Sequence, residues 1–364
     1  MMEYGKYIEL LRSLVRIPRV TGDEGAAADR MEAFLAGEGV ACTRVRNNVL
    51  ARSRHFDPAK RTLALDAHLD TVAPAAGYTR DPFDPGEDPE KVWGLGANDD
   101  GGSVAAMTAA FCALWERDLP VNLMLVLTCE EERSGPNGAA YLYDEGGYFA
   151  AQAEFPYPDW VLVGEPTGMQ AAVCERGLLV LDGEARGVSG HAAREEGVNA
   201  LYLALDDIAR LRAHRFARRS PLMGDVKLTV TQIEAGTAHN VVPDRCRFVV
   251  DIRPTEQYAP AEILAELQAL CGSTLTPRNL SNRSSATPEA SPLRAAARAL
   301  GIGTYSSPTT SNWMRIRCDA MKMGPGESAR SHRPDEYLLA AELRQAIPQY
   351  IAFIERLAYG NTME

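Results

Sequence analysis

The sequence is poor in cysteine and has no cysteine cluster. Its seven cysteines are scattered along the chain and include no Cys-x-x-Cys pair. Clustered cysteines are typical of structural zinc sites and of the disulfide frameworks of small secreted domains. Their absence favours a protein whose thiols are reduced, as they are in the cytoplasm.

Positive charge and long apolar runs are also scarce. The formal net charge is −11, which argues against nucleic acid or an anionic membrane as the main partner. No apolar run approaches the ~20 residues that span a membrane. The opening residues, MMEYGKYIEL, lack the basic and apolar stretches of a signal peptide. We therefore expect a soluble cytoplasmic protein that binds neither nucleic acid nor membrane.

The chain is long enough for two domains, because its 364 residues exceed the roughly 250–300 at which one hydrophobic core stops growing. In its first part, strands and helices alternate, which predicts an α/β domain with a mostly parallel sheet. The predicted strands are 61–68, 122–128 and 159–167, and the predicted helices are 4–16, 25–37, 103–118 and 138–146.

The pattern changes near residue 174. Three half-exposed strands (178–189, 225–236 and 245–254) and two helices (197–213 and 260–271) favour an inserted α+β domain with an antiparallel sheet. The polar segment 276–292 predicts a connection, followed by a helix at 293–300, a strand near 319–323 and a helix from Asp335. The predicted boundaries are 1–173 and 285–364 for the first domain and 174–284 for the inserted one.

Acidic residues and histidines follow the predicted strands or open a helix. Ligands of open α/β sheets bind outside the carboxyl ends of the strands, and carboxylate oxygens with imidazole nitrogens suit Zn²⁺ or a similar ion. Each motif alone is more simply a solvated turn, but their shared position favours a metal site. The residues are His68 and Asp70 in LDAHLDTV, Asp99 and Asp100 in GLGANDDGG, Glu130, Glu131 and Glu132 in CEEE, Glu165 in VGEPT and His332 in SHRPDEY.

In order and spacing, these motifs resemble those of the co-catalytic dizinc amidohydrolases, the family of aminoacylase and carboxypeptidase G. GVSGHAA and AGTAHNVVPDRCRFVVDIRP extend the resemblance into the inserted domain. The pattern is most similar to the acetylornithine and N-succinylornithine deacetylase branch. The resemblance implies a zinc-exopeptidase-like catalytic domain and a ferredoxin-like inserted domain through which two identical chains dimerise.

The resemblance also implies a role for each motif residue. His68, Asp99 and Glu165 would bind one divalent metal ion, and Asp99, Glu132 and His332 a second. The ions would be Zn²⁺, with Co²⁺ or Mn²⁺ as alternatives, and would activate a water molecule and polarise an amide carbonyl. Asp70 would orient the imidazole of His68. The family further implies a cis peptide bond between Asp99 and Asp100.

Glu131 falls at the family's general-base position. Because consecutive residues of an extended segment point in opposite directions, we expect Glu131 and Glu132 to approach the site from different sides. Glu130 would be structural.

In the inserted domain, the resemblance implies that His191 stabilises the oxyanion in the partner subunit's active site, assisted by Asn240. Arg253 would bind the substrate α-carboxylate through its planar fork. The residues alone also allow plainer interpretations, since His191 lies in a glycine-rich turn and Arg253 at a strand end.

Two residues depart from the family pattern. Gly101 stands where relatives often have lysine, and Asn312 where they commonly have aspartate. The second departure leaves the details of substrate recognition open.

The resemblance implies hydrolysis of N2-acetyl- or N2-succinyl-ornithine in arginine biosynthesis. Other N-acyl-amino-acid substrates stay open, including acyl-citrulline, succinyl-diaminopimelate, aminoacylase substrates and dipeptides, as does a non-catalytic ligand-binding relative. A succinyl group would add a carboxylate that needs a cation, for which the candidates are Arg278, Arg283, Arg315 and Arg330.

Overall fold

The computed structural model describes residues 3–194 and 196–360. They divide into two compact units. The first extends through Val173 and includes Ala286–Tyr305 and the chain from Ser311, while the second comprises Cys174–Ser285 and Ser306–Thr310. The roles of these units as catalytic and dimerisation domains stay predictions.

Helices and strands alternate through most of the chain. The helices are α1 (Tyr4–Val15), α2 (Gly25–Gly37), α3 (Gly102–Leu114), α4 (Ala139–Tyr143), α5 (Tyr148–Ala151), α6 (Ala200–Ala213), α7 (Pro260–Leu270), α8 (Pro292–Ala299) and α9 (Ala340–Tyr359). The strands are β1 (Cys42–Val45), β2 (Asn48–Arg52), β3 (Thr62–His68), β4 (Lys91–Trp93), β5 (Asn122–Thr128), β6 (Trp160–Val163), β7 (Ala171–Glu175), β8 (Leu179–Arg186), β9 (Gly190–His191), β10 (Lys227–Ala235), β11 (Val241–Val242), β12 (Arg245–Arg253), β13 (Thr274–Pro277), β14 (Ser285–Ala286), β15 (Thr304–Ser307), β16 (Asp319–Lys322) and β17 (Tyr337–Leu339).

The large sheet has the strand order β1-β2-β5-β3-β6-β16-β7-β14, and β15 pairs with β7. Its centre is parallel, since β3 pairs with β5 and β6, and β6 with β16. Every residue of β3 and β5 is buried, as expected of strands covered on both faces. The predicted mostly parallel α/β sheet is confirmed.

Helix α3 lies at the middle of the first unit. It contacts β3 and β5 on the sheet as well as α1 and α9, so its residues from Gly102 to Phe111 are all buried. Small side chains along this helix allow close packing from several sides. The turn that precedes α3 is therefore held firmly at the carboxyl edge of the sheet.

The second unit has an antiparallel sheet in the order β10-β12-β8-β13. The chain passes through it as β8-α6-β10-β12-α7-β13, which is the predicted ferredoxin-like arrangement. Inward residues of β12 alternate with exposed ones. Gly183 leaves room for one of them, because a Cβ atom there would lie 2.3 Å from the Phe248 ring.

Two parts of the sequence-based prediction are wrong in detail. The start of the predicted connection 276–292 belongs to the edge strand β13, where Pro277 is tolerated because it ends the strand. The last helix begins at Ala340 instead of Asp335, since residues 337–339 pair with β4 as β17. In residues 3–194 and 196–360, no helix is long and apolar enough to cross a membrane.

Asn312, one of the two departures from the family pattern, contacts a buried carboxylate in the large sheet. Asp66, in the middle of β3, is fully buried. Its carboxylate accepts hydrogen bonds from Asn312 Nδ2 at 2.9 Å and from the Tyr143 hydroxyl at 2.9 Å. Burial raises the pKa of Asp66 to about 6, although the hydrogen bonds from Asn312 and Tyr143 lower it. Asn312 thus supplies a donor that lets this carboxylate remain inside the protein.

An aspartate at this position should make stability depend on pH. In Asn312→Asp, two carboxyl groups can share one proton at pH 5, so we expect a loss below about 1 kcal/mol. At pH 8 both must ionise, and we expect a loss of about 3 kcal/mol. The sign follows because the folded protein holds the shared proton more tightly than the unfolded chain, so stability falls as pH rises.

Urea unfolding of EDTA-treated protein at the two pH values measures the difference. Asn279→Asp is the matched control, because Asn279 acts only as an acceptor toward Ser281, which a carboxylate can also do. An equal loss at both pH values in Asn312→Asp would contradict the shared proton.

Candidate metal centre

His68 stands at the carboxyl end of β3, where its side chain is 2% exposed. Its Nδ1 lies 3.1 Å from the backbone oxygen of Asp70 and 3.4 Å from Asp70 Oδ1. An Nδ1–H that donates to this carbonyl leaves the lone pair of Nε2 available to a metal. Nε2 lies on the other side of the ring, 3.1 Å from the Oδ1 atom of a second acidic residue, Asp99.

Asp99 lies in the turn Ala97–Gly101 that precedes α3. The peptide bond between Asp99 and Asp100 is cis, which confirms the prediction. The buried carboxylate of Glu336 accepts hydrogen bonds from the amides of Asn98 and Asp99, both at 2.9 Å. These contacts fix the turn, so the Asp99 side chain has a defined direction.

The two carboxylate oxygens of Asp99 face two different histidines. Oδ1 faces His68 Nε2, while Oδ2 lies 3.7 Å from His332 Nε2. The same nitrogen of His332 lies 3.0 Å from Glu132 Oε1. Ligand atoms of His68, Asp99 and Glu132 all lie within 4.8 Å of one another. This is the arrangement expected of a carboxylate that bridges two ions.

The glutamate triplet lies at a turn. The prediction that these residues form an extended segment is therefore wrong. Residues 131–134 form a turn, and Glu130 has a left-handed φ of 56°. The Glu130 carboxylate accepts hydrogen bonds from the backbone and side-chain nitrogens of Asn137, at 2.9 and 2.6 Å. Its structural role agrees with the prediction from sequence.

Asp70 holds the next two residues of the triplet. Its carboxylate accepts hydrogen bonds from the backbone amides of Glu131 at 2.9 Å and Glu132 at 3.1 Å. Thr21 Oγ1 donates a further one at 2.8 Å. Beyond its contact with His68, Asp70 therefore anchors the turn that carries the predicted base and a predicted ligand.

Glu131 and Glu165 are short of partners in the part of the chain that the structure describes, where no donor forms a hydrogen bond to either carboxylate. Burial, followed by the charges of Glu132, Asp70 and Asp99, raises the pKa of Glu131 well above its ordinary value. Burial also raises the pKa of Glu165, which the buried Lys322 opposes. Glu165 lies outside the triad of close ligand atoms but shares its electrostatic field.

The pKa values of the two histidines, His68 and His332, are also raised. Burial opposes protonation of His68, but hydrogen bonds to Asp70 and Asp99 raise its pKa well above the usual value. The hydrogen bond to Glu132 raises the pKa of His332 to about 9. An excess of acidic groups around two imidazoles favours binding of a cation. The donor set of nitrogen and oxygen atoms thus fits divalent metal ions such as Zn²⁺.

The remaining predicted residues lie in the second unit. His191 in β9 pairs with Val241 in β11, and the amide of Ala192 donates to Asn240 O at 3.1 Å, so His191 and Asn240 are neighbours. Arg253 forms a two-pronged ion pair with Asp251, at 2.8 and 3.1 Å. This ion pair agrees with the plainer interpretation of Arg253 as a residue that ends a strand. That Arg253 binds a substrate carboxylate stays a prediction.

Several residues around the centre were missed from sequence. Glu336 belongs to the motif SHRPDEY, so its position next to His332 could have identified it. The buried Arg19 lies in VRIPRVTG, and Lys322 ends the apolar strand β16. Nothing in their local sequence distinguishes these two from surface cations. Of the predicted succinyl-binding cations, Arg278 pairs with Asp182 at 2.8 Å and Arg330 with Glu342 at 2.7 Å.

Known proteins are similar to this chain in sequence and in fold. Residues 64–358 match the model of peptidase family M20/M25/M40. A succinyl-diaminopimelate desuccinylase of Cereibacter sphaeroides is 31% identical, over 96% of this chain and 98% of that protein. An acetylornithine deacetylase of Klebsiella pneumoniae is 28% identical, over 91% and 92%. Aminopeptidase PepT of Bacillus cereus has a TM-score of 0.77 at 18% identity, over 98% of this chain and 99% of that one.

The family match covers most of the chain and includes every residue of the candidate metal centre from His68 to His332. The chain belongs to peptidase family M20/M25/M40 and is a metal-dependent amidohydrolase of that family.

Proposed function

We propose that the protein hydrolyses the amide bond of an N-acylated diamino acid in the cytoplasm, using two divalent metal ions. The observation that carries the proposal is the position of Asp99, whose two oxygens face His68 and His332 separately. Glu131 lies beside them with an unpaired carboxylate, as a proton acceptor requires. This combination suits attack of a water molecule on an amide carbonyl.

The metal ions would be held by residues from three strand ends and two loops. His68 and Glu165 would bind one ion, Glu132 and His332 the other, and Asp99 both. Zn²⁺ fits this donor set, as does Co²⁺. When bound, such ions lower the pKa of a water molecule and polarise a carbonyl group.

Glu131 would take the proton of the attacking water and pass it to the leaving amine. Burial raises the pKa of Glu131 above its ordinary value, which increases its tendency to accept a proton. Asp70 would keep Glu131 in place through the backbone amide. His191 of the second unit, assisted by Asn240, would stabilise the negative charge that develops on the carbonyl oxygen in the partner subunit's active site. Arg253 would bind the substrate α-carboxylate after exchanging its partner Asp251.

The names of the relatives support a substrate class. Succinyl-diaminopimelate and acyl-ornithine both carry an acylated amine, a free amine and a carboxylate. The motifs alone favoured acyl-ornithine and hence arginine biosynthesis, but relatives at 31% identity are named succinyl-diaminopimelate desuccinylases. This supports N-succinyl-diaminopimelate as the first substrate to test and N-acyl-ornithine as the second.

Turnover of a substrate panel tests this function. We expect hydrolysis of N-succinyl-diaminopimelate, with kcat/KM at least ten times that for N-acetyl- or N-succinyl-ornithine, and full loss of activity after chelation that added Zn²⁺ or Co²⁺ restores. Released primary amine is the measurement, and a dipeptide is the negative control. Activity that survives complete removal of metal would refute the metal-dependent mechanism. A preference for an acyl-ornithine would refute the preference for N-succinyl-diaminopimelate and indicate a role in arginine biosynthesis.

Substitutions of Glu131 and Glu132 should have different effects on metal content and on kcat. Glu131→Gln should retain both metal ions and lose about 10²–10⁴-fold in kcat, as removal of a general base does. Glu132→Ala should lose one of the ions, because a carboxylate ligand is gone. Metal content per chain and kcat are measured on each variant.

Glu116→Gln, which changes a surface glutamate paired with Arg54, is the matched control and should keep both properties. Near-normal kcat in Glu131→Gln would exclude it as the base.

We also propose that the second unit joins two copies of the chain. Strand β10 is at the edge of its sheet, and Ile233 on it is 44% exposed. On α6, which packs against β10, Tyr202 is 65% and Leu205 47% exposed. An exposed edge strand beside apolar side chains is suited to pairing with its own copy about a twofold axis.

Light scattering coupled to size-exclusion chromatography should show a dimer for the wild type and a monomer for the double variant Tyr202→Glu, Ile233→Lys. Each introduced charge would lose its hydration on burial in the dimer, and this cost weakens the pairing. Leu300→Glu, at an exposed leucine of the first unit, should leave the dimer intact. A monomeric wild type would refute the interface.

A further inference from the structure

We infer that Arg19 is a positioning residue of the metal centre, a buried guanidinium that fixes the end of β3 with His68 to the turn that carries Asp99. This inference rests on the metal-dependent function proposed above. It concerns how the ligands are aligned, and it assigns a task to a residue outside every motif.

The contacts of Arg19 are with two backbone carbonyls. One guanidinium nitrogen donates to the oxygen of Leu69, which lies between His68 and Asp70, and the other to the oxygen of Gly96 at 2.8 Å. Gly96 directly precedes the turn Ala97–Gly101. The planar fork of arginine makes these two bonds from two nitrogens held in a fixed geometry, whereas a lysine would have to make both from one nitrogen on a flexible stem. One side chain thus connects the two segments that supply His68 and Asp99.

The backbone of Arg19 is itself held at the same place. Val20 forms a parallel bridge with Thr71, and the amide of Thr71 donates to Arg19 O at 2.9 Å. The chain just beyond β3 is therefore bonded to residue 19 through its backbone and through its side chain. Because the side chain is 1% exposed, water cannot replace these contacts.

Two glycines leave the space that the guanidinium occupies. A Cβ atom on Gly96 would lie 2.5 Å from Arg19 Nη2, and one on Gly101 would lie 3.2 Å from it and 2.4 Å from Gly96 O. Gly96 also has a φ of 74°, which glycine tolerates best. A side chain at 101 therefore has no room while the Arg19 guanidinium and the Gly96 carbonyl occupy these positions.

The charge of Arg19 suits its surroundings. The acidic groups that act on it are Glu336, Asp70, Asp100 and Asp99. Together with Glu131, Glu132 and Glu165, these carboxyl groups exceed the four positive charges of two divalent ions. A permanent buried cation offsets part of this excess, so the ligands can be packed together before any ion binds.

A purely structural role would also explain a buried arginine, but it predicts a different result. Loss of a structural contact lowers the melting temperature of metal-free and metal-loaded protein alike and leaves metal affinity unchanged. Loss of the positive charge alone would strengthen binding of another cation nearby. Only loss of ligand alignment weakens metal binding, so the direction of the change identifies the role.

The test compares the full-length variants Arg19→Gln and Arg19→Lys. We expect Arg19→Gln to bind Zn²⁺ at least tenfold more weakly, measured by competition with a chromophoric chelator, and to show a smaller metal-induced rise in melting temperature. Arg19→Lys keeps the charge but loses the rigid two-nitrogen fork, so its affinity should lie between those of the glutamine variant and the wild type. Turnover should fall in kcat with KM changed less than threefold, because Arg19 does not touch the substrate.

Arg317→Gln is the matched control, since Arg317 is an exposed arginine 3.2 Å from Glu145. Wild-type or tighter Zn²⁺ binding in both Arg19 variants overturns the inference. If Arg19→Gln does not fold, Arg19→Lys decides the outcome by the same measurement. The titration needs no substrate, so a failure of the proposed hydrolysis would be seen separately from a failure of this inference.

Discussion

Mutual repulsion among buried carboxylates is the constraint on which this structure depends. Asp99, Glu131, Glu132 and Glu165 converge at one edge of a sheet, where burial and neighbouring charge raise the pKa of Glu131 and Glu165. Such a cluster is stable only if cations are placed among its members. The protein meets this condition in part with its own residues, and the remaining excess of negative charge favours binding of divalent ions.

The same constraint explains why so many backbone amides point into the site. Asp70 accepts two from the glutamate turn, and Glu336 accepts two from the Asp99 turn. Each carboxylate is stabilised by donors that carry no net charge, and each donor also fixes a loop that carries a candidate ligand. Charge compensation and ligand alignment are therefore achieved by the same hydrogen bonds.

Sequence patterns predicted the central sheet well because its strands are buried on both faces and read as continuous apolar runs. They predicted that His68 and Glu132 lie close together, because these residues lie at or just beyond the ends of neighbouring strands of this sheet. They failed where long-range partners decide: the strand at Tyr337–Leu339 exists only because β4 lies beside it. The extended form expected for the glutamates failed because Glu130 turns the chain at a left-handed φ. Arg19 was invisible because its carbonyl partners are about 50 and 77 residues away in the chain.

The strand order of the large sheet has a consequence for biosynthesis. Strand β16 lies between β6 and β7, yet the ribosome makes it only after the whole second unit. Until then β6 has an unpaired edge, so the large sheet of the first unit is incomplete. The ferredoxin-like unit is contiguous apart from Ser306–Thr310 and is synthesised before the missing strand. Vectorial synthesis thus predicts an early-folding insertion and a late-closing sheet, whose nascent edge is the part of the chain most in need of protection from aggregation.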